Sequence, residues 1–141
     1  MNPRLSRLFA TRIDTQSDAD LVEYLPGQIW KITNGKFSGV TVMVVKTETL
    51  PRLGRAVHVS ILGPMQTPGG AEFDGIPHLP FTPEAMNISD LDFIGQVSDV
   101  PENWIDMYDD WRADADMEEA GLFSLSVQEI LETIMKKLAW I

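Results

Sequence analysis

The chain has 141 residues, 21 acids against 11 bases for a formal net charge of −10, 44% hydrophobic residues and no cysteine. That length suits a single domain, which buries roughly two thirds of its unfolded surface without a staple. The missing cysteine excludes a disulfide framework, a thiolate metal site and a cysteine nucleophile. The acidity argues against direct binding to nucleic acid or anionic lipid and favours a basic protein partner.

One domain over 1–141 is expected, with an arm at 1–16, a mainly β part at 17–97 and two helices within 98–141. In the arm, Leu5, Leu8 and Phe9 form one apolar turn among Arg4, Arg7 and Arg12. No apolar run has signal-peptide or membrane-spanning length, which fits a cytoplasmic protein. Ser17 or Asp18 caps a short helix ending near Tyr24, stopped by Pro26-Gly27. Gln28 to Thr33 is rich in β-branched and aromatic residues and reads as a strand, and Asn34-Gly35 after it predicts a tight hairpin. Val40 to Thr47 is the strongest strand, its run Val42, Met43, Val44 and Val45 implying burial on both faces. Pro51 and Gly54 mark a turn. Arg55 to Leu62 alternates, with Val57, Val59 and Ile61 facing one way and His58 and Ser60 the other. Gly63 to Gly75 reads as a loop, and Ile76 to Leu79 as a weak strand. Thr82 caps a short helix with Pro83 at its first position, and Asp92 to Val97 returns to the sheet.

The last third is helical. Asp99 and Glu102 give a capping-box pattern, and Gly121 ends the helix. Trp104, Met107, Tyr108, Trp111 and Ala115 fall on one face, Asp106, Asp109, Asp110, Asp114 and Asp116 on the other. A second helix starts at Ser126, capped with Glu129, and carries the apolar stripe Val127, Ile130, Leu131, Ile134, Met135 and Leu138. Strands first and helices after predict an α+β fold: a small, bent antiparallel sheet of about five strands, SH3-like or a partly open barrel, packed with two C-terminal helices.

The charge is concentrated. Residues 84–119 hold twelve acids and a single base, Arg112, while the rest of the chain is nearly neutral. Like charges at i,i+4, such as Asp106/Asp110 and Asp110/Asp114, each cost about 0.2–0.5 kcal/mol. Acids near the helix C-terminus add about 0.3–1 kcal/mol apiece. Such a face is either a solubilising surface or one that steers a basic partner. Trp111 and Trp140 are the candidate anchors, since tryptophan dominates interface hot spots, although aromatic residues at helical spacing also suit a core. His58 and His78 are the only histidines, and no spacing makes them metal ligands. Asp114-x-Asp116-x-Glu118 starts like a calcium loop but has Glu119 where glycine is needed and Leu125 where a bidentate glutamate is needed. No nucleophile elbow or phosphate loop is present. No catalytic residue, cofactor or metal is therefore expected.

The ordered strings Tyr24-Leu25-Pro26-Gly27-Gln28-Ile29-Trp30, Leu53-Gly54 with His58-Val59-Ser60, and His78-Leu79-Pro80-Phe81 with Glu84-Ala85 resemble a family of small uncharacterised bacterial proteins. The resemblance spans about residues 24–90 and implies no activity. Small acidic proteins of this type also resemble immunity proteins of bacterial toxin systems. The leading expectation is a non-enzymatic protein that neutralises a basic partner, a cognate toxin in the first place, through Asp106, Asp109, Asp110, Asp114 and Asp116 with Trp111 or Trp140. The alternatives are a nucleic-acid mimic occupying a DNA-binding protein, and a small-ligand enzyme or sensor using the sheet and the 63–75 loop.

Overall fold

A computed structural model describes residues 23–138. The arm, the helix expected after Ser17 or Asp18, and Trp140 lie outside the described residues. Five strands, β1 (Gln28–Ile32), β2 (Thr41–Leu50), β3 (Gly54–Gln66), β4 (Glu72–Phe81) and β5 (Leu91–Gln96), form one antiparallel sheet in the order β4-β3-β2-β1-β5. The first four are a meander. The short helix α1 (Pro83–Asn87) then carries the chain across to lay β5 beside β1. The sheet is open, with β4 and β5 at its edges. Helices α2 (Ile105–Asp116) and α3 (Val127–Lys137) complete an α+β fold.

Several element boundaries differ from expectation for identifiable reasons. Asn34-Gly35 makes no two-residue hairpin: only Gly35 has a positive φ, and the β1–β2 connection is longer, closed by Gly39 N–H donating to Ile32 O at 2.9 Å. The 63–75 stretch is not a loop. β3 runs on to Gln66 and β4 begins at Glu72, because register shifts between Leu62 and Met65 absorb Gly63-Pro64 without ending the pairing. Gly75 makes this possible: its φ is +126°, and a Cβ there would sit 2.1 Å from the Ile61 carbonyl oxygen.

One sheet face carries the apolar core. Val42, Val44, Val57, Val59, Ile61 and Phe81 meet Val127, Ile130, Leu131 and Met135 of α3. Each such side chain contributes roughly 1.5–3 kcal/mol on burial. The α3 start is fixed as its sequence predicts. Ser126 Oγ accepts from Glu129 N–H, and Glu129 Oε1 accepts from Ser126 N–H, both at 3.1 Å. Thr82 caps α1 likewise, accepting from Ala85 N–H. Buried Ser89 ties the two helices: its hydroxyl donates to Ala85 O at 2.5 Å and accepts from Val127 N–H at 2.9 Å. The opposite sheet face, reached by Lys46, Glu48, His58, Ser60 and His78, receives α2.

Candidate functional site

A bulge decides what lies under α2. Val44 pairs with Val59, but Lys46 then pairs with His58, so Val45 is the extra residue of β2. All of Val42 to Val45 remains buried, on both faces. Beyond the bulge, Lys46 and Glu48 share a face with His58 of β3, and the pairing of His58 with Pro80 puts His78, two residues along β4, on that face too. His58 is fully buried and His78 is 3% exposed. The Nδ1 atom of His58 lies 2.8 Å from Nε2 of His78, and Nε2 of His58 lies 2.8 Å from Oε2 of Glu48. From α2, the Tyr108 hydroxyl donates to Glu48 Oε2 at 2.8 Å, and Arg112 Nη1 donates to Glu48 Oε1 at 3.0 Å. The rings of Tyr108 and Trp111 close the pocket edge-on, 4.9 and 5.1 Å from the His58 ring.

The proton positions follow from the chemistry. Glu48, ion-paired with Arg112, is a carboxylate and can only accept. It receives the Nε2–H of His58. Burial keeps both imidazoles neutral at neutral pH, so Nδ1 of His58 accepts from the Nε2–H of His78. Burial pushes His78 down to about 4, reinforced by His58 and opposed by Glu48. Burial also lowers His58, against the raising effect of Glu48. Burial pushes Glu48 up, but hydrogen bonds from Tyr108 and His58 and the charge of Lys46 outweigh it, so its carboxyl sits below the ordinary value. The Tyr108 phenol is raised by burial and by its bond to Glu48.

This network is the polar anchor of α2, beside the half-buried rings of Trp104, Tyr108 and Trp111 and an Arg52 guanidinium that donates to Ala115 O at 3.2 Å. The helix's only buried residue is Ala115. Met107, expected on the inner face, is 42% exposed. The helix starts after Trp104, with no side-chain cap, so Asp99 and Glu102 do not form the expected capping box for it. Nor does Gly121 end it. Glu118 takes the left-handed position at φ +60°, Glu119 N–H reaches Asp114 O at 2.8 Å, and Glu118 N–H reaches Ala115 O at 3.0 Å, the Schellman pattern.

The acidic residues divide. Asp106, Asp109, Asp110 and Asp114 are exposed, and among the described residues none of them has an ion-pair partner. Asp116 is also exposed but is paired with Arg112 at 3.1 Å. Trp111 is half-buried over the histidines, its indole N–H donating to Gly121 O. It is part of what holds α2, not a side chain standing out from the surface. At about 100° per residue, Asp106, Asp110, Ala113 and Met117 line up, with Asp109 to one side and Asp114 to the other. Met117 is 68% exposed, giving the face an apolar strip among carboxylates. His78 bonds His58, and the Pro80 carbonyl accepts from Phe123 N–H.

Sequence reasoning missed the network. The available signal was a histidine within an apolar alternating strand and a Lys-x-Glu in its neighbour, but the pairing depends on a bulge in β2 that no local pattern reveals. Among the described residues, no group of three or more histidine and acidic side chains converges as a metal site would. No described helix is long and apolar enough to cross a membrane. Comparisons with protein-family models, with curated proteins and with solved structures find no match.

Proposed function

We propose that this chain is a non-enzymatic binding protein that presents the outer face of α2 to a basic protein and neutralises it by occlusion. The immunity-protein resemblance makes a cognate bacterial toxin the partner class of choice. The observation that carries this reading is the set of four exposed carboxylates, Asp106, Asp109, Asp110 and Asp114, on a helix fixed through its other side. Arg112, the sole base of the acidic stretch, turns inward to Glu48, Tyr108 and Asp116 and leaves those four to solvent. Glu118 supports the same reading. A non-glycine residue in the left-handed region costs about 1 kcal/mol, and a negative charge at a helix C-terminus costs more, yet an acid stands there. Met117 takes the anchoring role that the sequence suggested for tryptophan. An enzymatic reading has less support, since a substrate reaches neither His58 nor His78 without displacing α2.

The test is association kinetics with the partner recovered from native lysate. The on-rate should fall steeply between low and high salt, and Asp109→Asn with Asp110→Asn should slow it while leaving stability within about 0.5 kcal/mol. An on-rate indifferent to salt and to both substitutions removes the proposal. Competition by duplex DNA for the same partner identifies nucleic-acid mimicry.

A further inference from the structure

We propose that the His58–His78 pair is a proton-operated latch: uptake of one proton by the pair frees α2 from the sheet while the α3 side of the fold stays packed. The geometry makes a positive charge on the pair costly. Each gap in the chain from His78 to His58 to Glu48 already contains one proton and one acceptor. Another proton at Nδ1 of His58 requires His78 to move its own proton to Nδ1, and it leaves a buried imidazolium that shares Glu48 with Arg112. One added at the far nitrogen of His78 makes a cation in a pocket closed by sheet and aromatic rings. Of the groups facing the pair, Lys46 from β2 and Arg112 from α2 are cationic. Glu48, the single carboxylate in contact, already accepts from His58, Tyr108 and Arg112. Asp116 acts only behind Arg112. Opening the pocket hydrates the new charge, and an isolated buried charge is costly enough to drive such opening.

The asymmetry of packing makes the opening local. α2 has one buried residue, Ala115, whereas α3 has Val127, Ile130, Leu131 and Met135. Low-stability units that open below the global limit are those with few buried apolar contacts. With His78 at about 4 when docked and near 6.5 when hydrated, lowering the pH from 7.5 to 5 multiplies the released population by roughly thirty. The inference does not depend on the docking reading, because the readout is α2 itself.

The experiment is backbone amide exchange of the full chain at pH 7.5 and pH 5, corrected for intrinsic rates, with the imidazole nitrogens of His78 followed by NMR through the same range. Protection of the α2 amides should lie below that of the α3 amides at both pH values and drop roughly thirtyfold at pH 5, tracking His78 titration, while α3, which opens only with the whole fold, stays the better protected. The His78→Gln variant keeps a donor toward His58 and removes one of the two titrating rings, so its α2 protection should fall by clearly less than that of the unaltered chain. Protection of α2 unchanged at pH 5, α2 and α3 protected to the same level at both pH values, or an equal loss in His78→Gln each overturns the latch. Should His78→Gln not fold, a His78 midpoint that does not coincide with the α2 loss in the unaltered chain overturns it equally.

Discussion

Replacing Glu48 by alanine tests what holds α2 in place. Glu48 accepts three hydrogen bonds, from His58 at 2.8 Å, Tyr108 at 2.8 Å and Arg112 at 3.0 Å. Removing it strands the Nε2–H of fully buried His58, at about 1–3 kcal/mol for an unsatisfied buried donor. The half-buried Tyr108 hydroxyl loses a bond of about 0.5–1.5 kcal/mol. Arg112 is 36% exposed and turns to water, so its share is small after screening. The expected loss is about 3 kcal/mol, and Glu48→Gln, which keeps one acceptor oxygen, should lose about half as much. Urea denaturation reads this directly. With an m-value of about 1–3 kcal/mol/M, the midpoint of Glu48→Ala falls by roughly 1–3 M at unchanged m. Asp110→Ala, an exposed acid on the same helix system, should change stability by no more than about 0.5 kcal/mol. If Glu48→Ala behaves like Asp110→Ala, the network does not hold α2 and the reasoning fails.

Other consequences are as direct. Global stability should fall with pH across the histidine window: a neutral imidazole held to about 4 in the fold and free to protonate near 6.5 when unfolded contributes stability present above 6.5 and lost progressively toward 4, about 2 kcal/mol of it by pH 5. Urea midpoints at pH 7.5, 6 and 5 check this, and a flat profile contradicts it. Glu118→Gly should stabilise the protein by about 0.5–1 kcal/mol, since glycine occupies the φ +60° position without strain, while Glu118→Ala should gain less; thermal melting of the pair decides. Ser89→Ala leaves Val127 N–H buried without its 2.9 Å acceptor and should cost about 1–3 kcal/mol, read by urea denaturation. Gly75→Ala sets a methyl 2.1 Å from Ile61 O and should break the β3–β4 pairing, visible as loss of protection at those amides; retained protection contradicts it.

What the sequence discloses here is mostly what is local. The α3 start was legible because a capping box and an apolar stripe are patterns of neighbouring residues, and the structure contains both. Thr82 and Pro83 announce α1 for the same reason. The α+β order, the Pro51–Gly54 turn and the burial of Val42 to Val45 followed from composition and spacing. The 63–75 stretch misled because glycine and proline usually end strands, whereas here they sit at bulges of a pair held by cross-strand bonds. Trp111 was placed on the correct face of its helix, but its partner on that face was unreadable: a stripe of aromatics suggests an apolar floor, and the floor is two histidines and a glutamate. The Glu48–His58–His78 contact joins three strands beside a bulge in β2, so no one-dimensional spacing encodes it. The acidic stretch was plain from the charges, but the exclusion of Asp116 from the exposed set depends on Arg112 turning inward, which only the fold decides.

The docking face is tested most directly by photo-crosslinking from position 113, which lies exposed between the carboxylates of α2, with exposed Lys36 across the molecule as the control position. In native lysate at low salt, the probe at 113 should join a strongly basic protein, and the adduct should vanish when Asp106, Asp109, Asp110 and Asp114 are changed to asparagine. A basic protein captured equally from position 36, or an adduct at 113 that survives loss of all four carboxylates, would show that this surface is solvated charge and not a docking site.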